Sequence, residues 1–229
     1  MLDLENLEKA QRISLTMQVE NSLKGALITG SLKPGARLIT KEIADKLGTS
    51  ITPVREALLR LVSAGALQAT PAQAFLVPEV TLERYNEINA IRKQLEPMAV
   101  AAACQNMTET KLDALRALSD NFSTAMHQGD VQKAIHANRV FRYTLYQYAE
   151  MPTLNSLIEQ LWVRMGPGLH FLYGETPSKA YRHSVDYYQN LLAALESGDK
   201  ELSRRRLLEV IHKNSAIVKQ QYSSDAAPE

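Results

Sequence analysis

Residues 41–58, Lys41-Glu-Ile-Ala-Asp-Lys-Leu-Gly-Thr-Ser-Ile-Thr-Pro-Val-Arg-Glu-Ala-Leu58, decide how this chain is read. The stretch divides at Gly48, a residue that turns a chain tightly because it carries no Cβ. Apolar positions on either side recur at helical spacing. Thr52-Pro53 puts a proline in the first turn of the second helix, where a missing N–H costs little. Two short helices joined this way form a helix-turn-helix, which lays its second helix in the DNA major groove.

Upstream, Val19, Leu23, Ala26 and Leu27 share one face of a helix expected over Leu15–Thr29 and ended by Gly30. A turn follows at Pro34-Gly35. Thr40 is placed to cap the helix that ends at Gly48, and the third helix begins at Ser50 or at Ile51-Thr52. Val54, Leu58, Leu61 and Val62 form its apolar stripe, with Arg55, Glu56 and Arg60 largely away from it. Beyond Gly65, Leu67–Thr70 and Ala74–Val77 read as two short strands joined by a turn at Pro71. The sequence therefore predicts a mainly α protein, with a winged helix-turn-helix carrying a two-strand wing over residues 11–78.

Pro78 marks a linker, and residues 82–222 change character to a run of amphipathic helical patterns. Breaks near Thr108, Gly129-Asp130, Met151-Pro152, Gly166-Pro167-Gly168, Thr176-Pro177 and Gly198-Asp199 predict an all-α bundle of six or seven helices. Residues 1–10 read as a charged leader and Ser223–Glu229 as a frayed tail.

The 229 residues are 45% hydrophobic, enough for two small cores, and the net charge is only +1. Coating nucleic acid by bulk attraction is thereby excluded. Charge is uneven, however. Between Lys33 and Arg60 stand Lys33, Arg37, Lys41, Lys46, Arg55 and Arg60 against Glu42, Asp45 and Glu56 alone. A local excess of this kind favours phosphates. Cys104 is the single cysteine, which excludes a disulfide framework and a multi-thiolate metal site; its apolar surroundings predict a buried thiol. No run of eighteen apolar residues is present, and Asp3, Glu5 and Glu8 stand where a secretory leader would be basic. We expect a soluble, cytoplasmic protein with no membrane partner.

Taken in order, Gly30-Ser-Leu-Lys-Pro-Gly35-Ala-Arg-Leu38, Ile43-Ala44, Leu47-Gly48 and Thr52-Pro-Val-Arg-Glu-Ala-Leu58 resemble the DNA-binding pattern of the GntR family of bacterial transcription regulators. Arg92-Lys-Gln-Leu-Glu-Pro97 with the Ala-rich run to Ala103 resembles the start of the helical effector domain of its FadR-like branch. Ala194-Leu-Glu-Ser-Gly-Asp199 resembles a boundary near that domain's end. The resemblance implies a homodimer on a palindromic double-stranded operator, with a small effector in the helical domain altering DNA affinity. Two modules on half-sites about one helical turn apart gain affinity through effective concentration.

Arg55 matches the family's recognition-helix arginine and is positioned to reach a guanine edge; the alternative is an ion pair with Glu56 or Asp45. Lys41 matches a DNA-contacting position, while Arg37, Ser50 and Thr52 suit phosphates or base edges. Solvated surface charge is the alternative for Lys41 and Arg37. Two departures stand out. Ile51 replaces the arginine usual before Thr-Pro-Val-Arg, leaving a side chain that either touches a thymine methyl or packs internally. Gln73-Ala74 replaces the wing's Arg-Gly, so that Gln73 is left to read an adenine edge.

Many members of this branch bind a metal through one Asp and three His. The corresponding positions here are Asn138, Arg142, Tyr188 and Val210, so no metal or other cofactor is expected. His127, His136, His170, His183 and His212 form no replacement set. Asn138, Arg142 and Tyr188 would instead line a cavity for a small organic anion, whose carboxylate or phosphate Arg142 can take bidentately. The alternative is an internal network in which Arg142 pairs with a bundle acid. Tyr143, Tyr146, Tyr148 and Trp162 read as bundle core. No catalytic constellation stands out. A ligand-responsive DNA-binding regulator, read as a repressor, therefore stands ahead of an architectural DNA binder or an all-α enzyme.

Overall fold

The computed structural model describes residues 14–71, 74–167 and 184–225. Gln73, His170, His183 and the Thr176-Pro177 boundary lie outside the described residues. The chain runs α1 (Leu15–Ile28), β1 (Arg37–Leu38), α2 (Thr40–Leu47), α3 (Ile51–Ser63), β2 (Gln68–Ala69) and β3 (Phe75–Leu76). It continues with α4 (Leu82–Gln105), α5 (Glu109–His127), α6 (Val131–Gln147) and α7 (Pro152–Met165), and then α8 (Ser184–Glu196) and α9 (Lys200–Asp225). The mainly α fold with a winged helix-turn-helix and a helical second unit is the one expected.

Local chemistry accounts for the helix ends. Ser14, Thr81 and Thr108 accept the first-turn amides of Met17, Arg84 and Lys111 and so cap α1, α4 and α5. Gly48 ends α2 with φ of 63°, a left-handed conformation that a side chain would strain. Thr40 is the first residue inside α2 and not its cap; Ile39 holds that position, and no side chain caps the helix.

The wing is larger than the sequence suggested. β3 is the centre of a three-stranded antiparallel sheet in the order β1-β3-β2, with Arg37 opposite Leu76 and Gln68 opposite Leu76 across its two edges. β1 comes from the loop before α2, so the sheet ties the start of the helix-turn-helix to the hairpin. At the other end of the chain α9 runs to Asp225, into the stretch expected to fray.

Val19, Leu23 and Leu27 of α1 pack against α3, whose Val54, Ala57, Leu58 and Leu61 are fully buried. In the second unit α4 packs along α9 and α7, α5 pairs with α6, and α8 bridges α5 and α9. Cys104 is buried there, accepting a weak hydrogen bond from Ser203 Oγ at 3.7 Å. The buried side chains of both units form one continuous cluster, because α1 also packs on α7. Through that seam α7 touches both units.

Candidate DNA-reading face and buried ion cluster

α3 has three kinds of face. Pro53, Val54, Ala57, Leu58 and Leu61 bury one. A second, Thr52-Glu56-Arg60 at i, i+4 spacing, is tied to α1: Thr16 Oγ1 donates to Glu56 Oε2 at 2.9 Å, and Arg60 meets Glu20 at 3.4 Å. The third, Ile51-Arg55-Leu59, has the same spacing and is exposed along its length. The Glu56 carboxylate is thus engaged by α1. Ser50 occupies the N-cap of α3 without making a capping bond, and both it and Thr52 are exposed. A helix N-terminus left without a side-chain cap suits a phosphate. Arg37 is exposed on β1, and Lys41 and Lys46 are exposed on α2.

The other end of α3 is held from the second unit. Arg164 of α7 donates through Nε to the Ala64 carbonyl at 2.6 Å, and Arg84 of α4 donates to the Gly65 carbonyl at 2.7 Å. Two guanidiniums at a helix C-terminus satisfy orphan carbonyls and complement the dipole. Gly166, just past α7, packs against α1 so closely that a Cβ there would lie 2.3 Å from the Leu27 carbonyl oxygen.

Deeper in the helical unit lies a buried ion cluster in which Arg142 pairs with a bundle acid, the alternative that the sequence left open; the acid is Glu96. Glu96 of α4, with no exposure, is its centre. Its Oε1 accepts from Arg92 Nε at 2.5 Å and from Trp162 Nε1 at 2.8 Å. Its Oε2 accepts from Arg142 and, at 2.5 Å, from the Tyr146 hydroxyl. The Trp162 ring lies 4.9 Å from the Arg92 guanidinium carbon and 5.6 Å from that of Arg142. Burial pushes the Glu96 carboxyl up, but the two guanidiniums and the hydrogen bonds from Arg92 and Tyr146 outweigh it and hold the group at about 2. Desolvation raises the phenols of Tyr146 and Tyr188, which stay neutral.

Asn138, Arg142 and Tyr188 do come together. The Tyr188 hydroxyl donates to Asn138 Oδ1, while Arg142 donates to Tyr146 and Glu96 beside them. All three are buried, and Val210 is buried as well. An amide, a guanidinium, a phenol and an isopropyl group do not fit a divalent cation, and Arg142 in their midst would repel one. No group of three or more potential ligand side chains occurs among the described residues. Tyr146 and Trp162 are core residues, as expected, yet both spend their polar atoms on Glu96.

The signal for the cluster was present in Arg92 and Glu96, four apart in α4. What hid it was that an i, i+4 Arg/Glu pair is usually a solvated one. Only the packing of α6 and α7 on α4 makes this pair internal. The last turn of α7 then joins the two regions: Trp162 bonds Glu96, Met165 Sδ accepts from Arg92 at 3.1 Å, and Arg164 holds the end of α3.

Comparison with known proteins agrees with this geometry. Residues 15–77 match the family described as bacterial regulatory proteins, gntR family, and residues 87–213 match the FCD domain. The chain is 53% identical to the HTH-type transcriptional regulator McbR of Escherichia coli K12, over 94% of this chain and 97% of that protein. Its solved structure, E. coli McbR/YncC, superposes with a TM-score of 0.88 over 92% of this chain and 100% of the other. A probable D-xylose utilization operon transcriptional repressor of Paenarthrobacter nicotinovorans is 26% identical over 87% of each chain. No helix among the described residues is long and apolar enough to cross a membrane. With a gntR-family helix-turn-helix unit over residues 15–77 and an FCD bundle over 87–213, the chain belongs to the GntR family of transcriptional regulators.

Proposed function

We propose that this protein is a homodimeric repressor of the FadR-like branch, divided at 11–78 and 82–222, that binds a palindromic operator in the cytoplasm and carries no catalytic activity. The observation that carries the DNA reading is the exposed Ile51-Arg55-Leu59 stripe on a helix whose remaining sides are fixed to α1 and the core. Arg55 contacts a base edge; Arg37, Lys41, Ser50 and Thr52 position the phosphates; Gln73 is assigned to the wing's contact. The word repressor in the name of the P. nicotinovorans relative supports the sign of regulation.

The effector is a small organic anion bound beside Asn138, Arg142 and Tyr188. Among the described residues the cluster holds two guanidiniums, Arg92 and Arg142, against one carboxylate, Glu96. Buried positive charge in excess favours an anionic partner. Pairing of Arg142 with Glu96 supports a second reading, an architectural DNA binder whose network is complete without a ligand.

Selection of operator duplexes from a random pool by wild type and Arg55→Ala tests the first part. A palindrome enriched by wild type and lost by the variant is expected; indiscriminate binding by both rules it out. A thermal-shift panel of small carboxylates and phosphate esters tests the second, because a ligand that binds only the folded state raises its melting temperature. A hit that also changes operator affinity supports the effector. A panel without a hit favours the architectural reading.

A further inference from the structure

We infer that Ile51 reads a thymine methyl group in each operator half-site, which would make it a specificity residue beside Arg55. The inference rests on α3 being the helix that enters the groove, and it names what one further position on that helix selects.

Ile51 is the first residue of α3 and is 50% exposed, so the possibility that it packs internally is closed. It stands one helical turn before Arg55 on the same exposed stripe, where side chains four apart are neighbours. Leu47, the last residue of α2, is 43% exposed on the other side of the Gly48–Ser50 turn. The same two helices expose the cations Lys41, Lys46 and Arg55 together with the acids Glu42 and Asp45. An exposed isoleucine one turn before an exposed arginine suits a groove whose floor carries methyl groups beside base-edge acceptors.

Chemistry narrows the occupant. The thymine C5 methyl, beside the O4 acceptor, is the one methyl group presented in the major groove; guanine, adenine and cytosine offer none there. Isoleucine has no donor or acceptor. Opposite a guanine or cytosine it would strip water from O6, N7 or N4 without replacing the hydrogen bonds, a penalty that selects against those bases. Opposite thymine it buries methyl against methyl. The branched Cβ also restricts its rotamers, so little entropy is lost on contact.

The test begins with the operator that the full-length chain enriches from random duplexes. Each thymine of a half-site is then replaced in turn by deoxyuridine, which keeps the pairing and deletes only the C5 methyl. Burial of one methyl group corresponds to about a fourfold change in affinity. One thymine position per half-site is therefore expected to weaken wild type by about fourfold when changed to deoxyuridine. Ile51→Ser should bind more weakly and no longer distinguish the two bases, and Ile51→Arg should enrich guanine at the same position. Ile51 is a surface residue, so both variants should keep the wild-type melting temperature within a few degrees.

A flat deoxyuridine scan overturns the assignment, as does an Ile51→Ser variant that retains the wild-type penalty. If Arg55→Ala enriches the wild-type operator with undiminished affinity, or wild type enriches none, the recognition-helix reading falls and this inference with it. A flat scan alongside a lost Arg55→Ala site removes only Ile51.

Discussion

At the level of single residues, the strongest constraint on this molecule is Glu96. A carboxylate with no exposure is tolerated only because it accepts from Arg92, Trp162, Arg142 and Tyr146, and each guanidinium depends on it in return. Glu96→Gln keeps the shape and removes the charge, leaving Arg92 and Arg142 buried without a counter-ion. Breaking a buried pair in this way costs about 3–5 kcal/mol, and urea unfolding of the variant should show a loss of that order. The same group sets an acid limit. Its folded-state value of about 2 lies below the ordinary 4.5, so its stabilisation is complete above about pH 4.5 and disappears as pH falls toward 2. The shift corresponds to about 3 kcal/mol. Melting temperature measured from pH 6 to pH 2 should therefore fall more steeply in wild type than in Glu96→Gln; parallel curves would remove Glu96 from the acid response. Asn138, Arg142 and Tyr188 were legible from sequence as one locus, and the structure buries all three, with Tyr188 bonded to Asn138 and Arg142 bonded to Glu96. Glu96 was not legible as their partner, because the contact from α4 to α6 spans 46 residues.

Secondary-structure elements show the same division between local and distant causes. The C-terminal end of α2 and the capped starts of α1, α4 and α5 follow from residues within four positions of the boundary, which is why Gly48 and Thr108 could be read directly. β1 could not, since two residues, Arg37 and Leu38, become a strand only by pairing with β3. Nor could the role of α7 be read. Its sequence gives an ordinary amphipathic helix starting at Pro152, yet its last turn touches Glu96, Arg92, the end of α3 and the end of α1. Gly166 is what lets α7 approach. Gly166→Ala would drive a Cβ to 2.3 Å from backbone, where no flexible side chain can yield. Forced repacking of this kind costs about 1–3 kcal/mol, and in a chain of this size that lowers the melting temperature by several degrees. Calorimetry of the variant checks it, and an unchanged transition would mean that the two helix ends separate freely.

For the molecule as a whole, the near-neutral charge is the point of interest. A protein of net charge +1 has to collect phosphates with a few placed cations, so each should be visible in the salt dependence of operator binding. Lys41→Ala should reduce the slope of log affinity against log salt by about 0.9 per lost contact, hence by about 2 for a dimer. An unchanged slope would make Lys41 a solvated charge. The coupling between units is a separate matter. An anion bound beside Arg142 can regulate DNA binding only if its affinity differs between the operator-bound and released states. The last turn of α7 offers a route, since Trp162 and Met165 contact the ion cluster while Arg164 grips the Ala64 carbonyl. Arg164→Met removes that grip and keeps most of the side chain's bulk. Operator titrations at fixed salt, with and without an anion found by thermal shift, should give a ratio of affinities in the range of about 5–150 for wild type. In Arg164→Met the anion should bind and the operator should bind, but the ratio should fall toward one. Linkage makes the operator change the anion's affinity by the same factor, so the effect can be checked from either side. An undiminished ratio in the variant would move the coupling to another contact, with Arg84 at the Gly65 carbonyl the next to test.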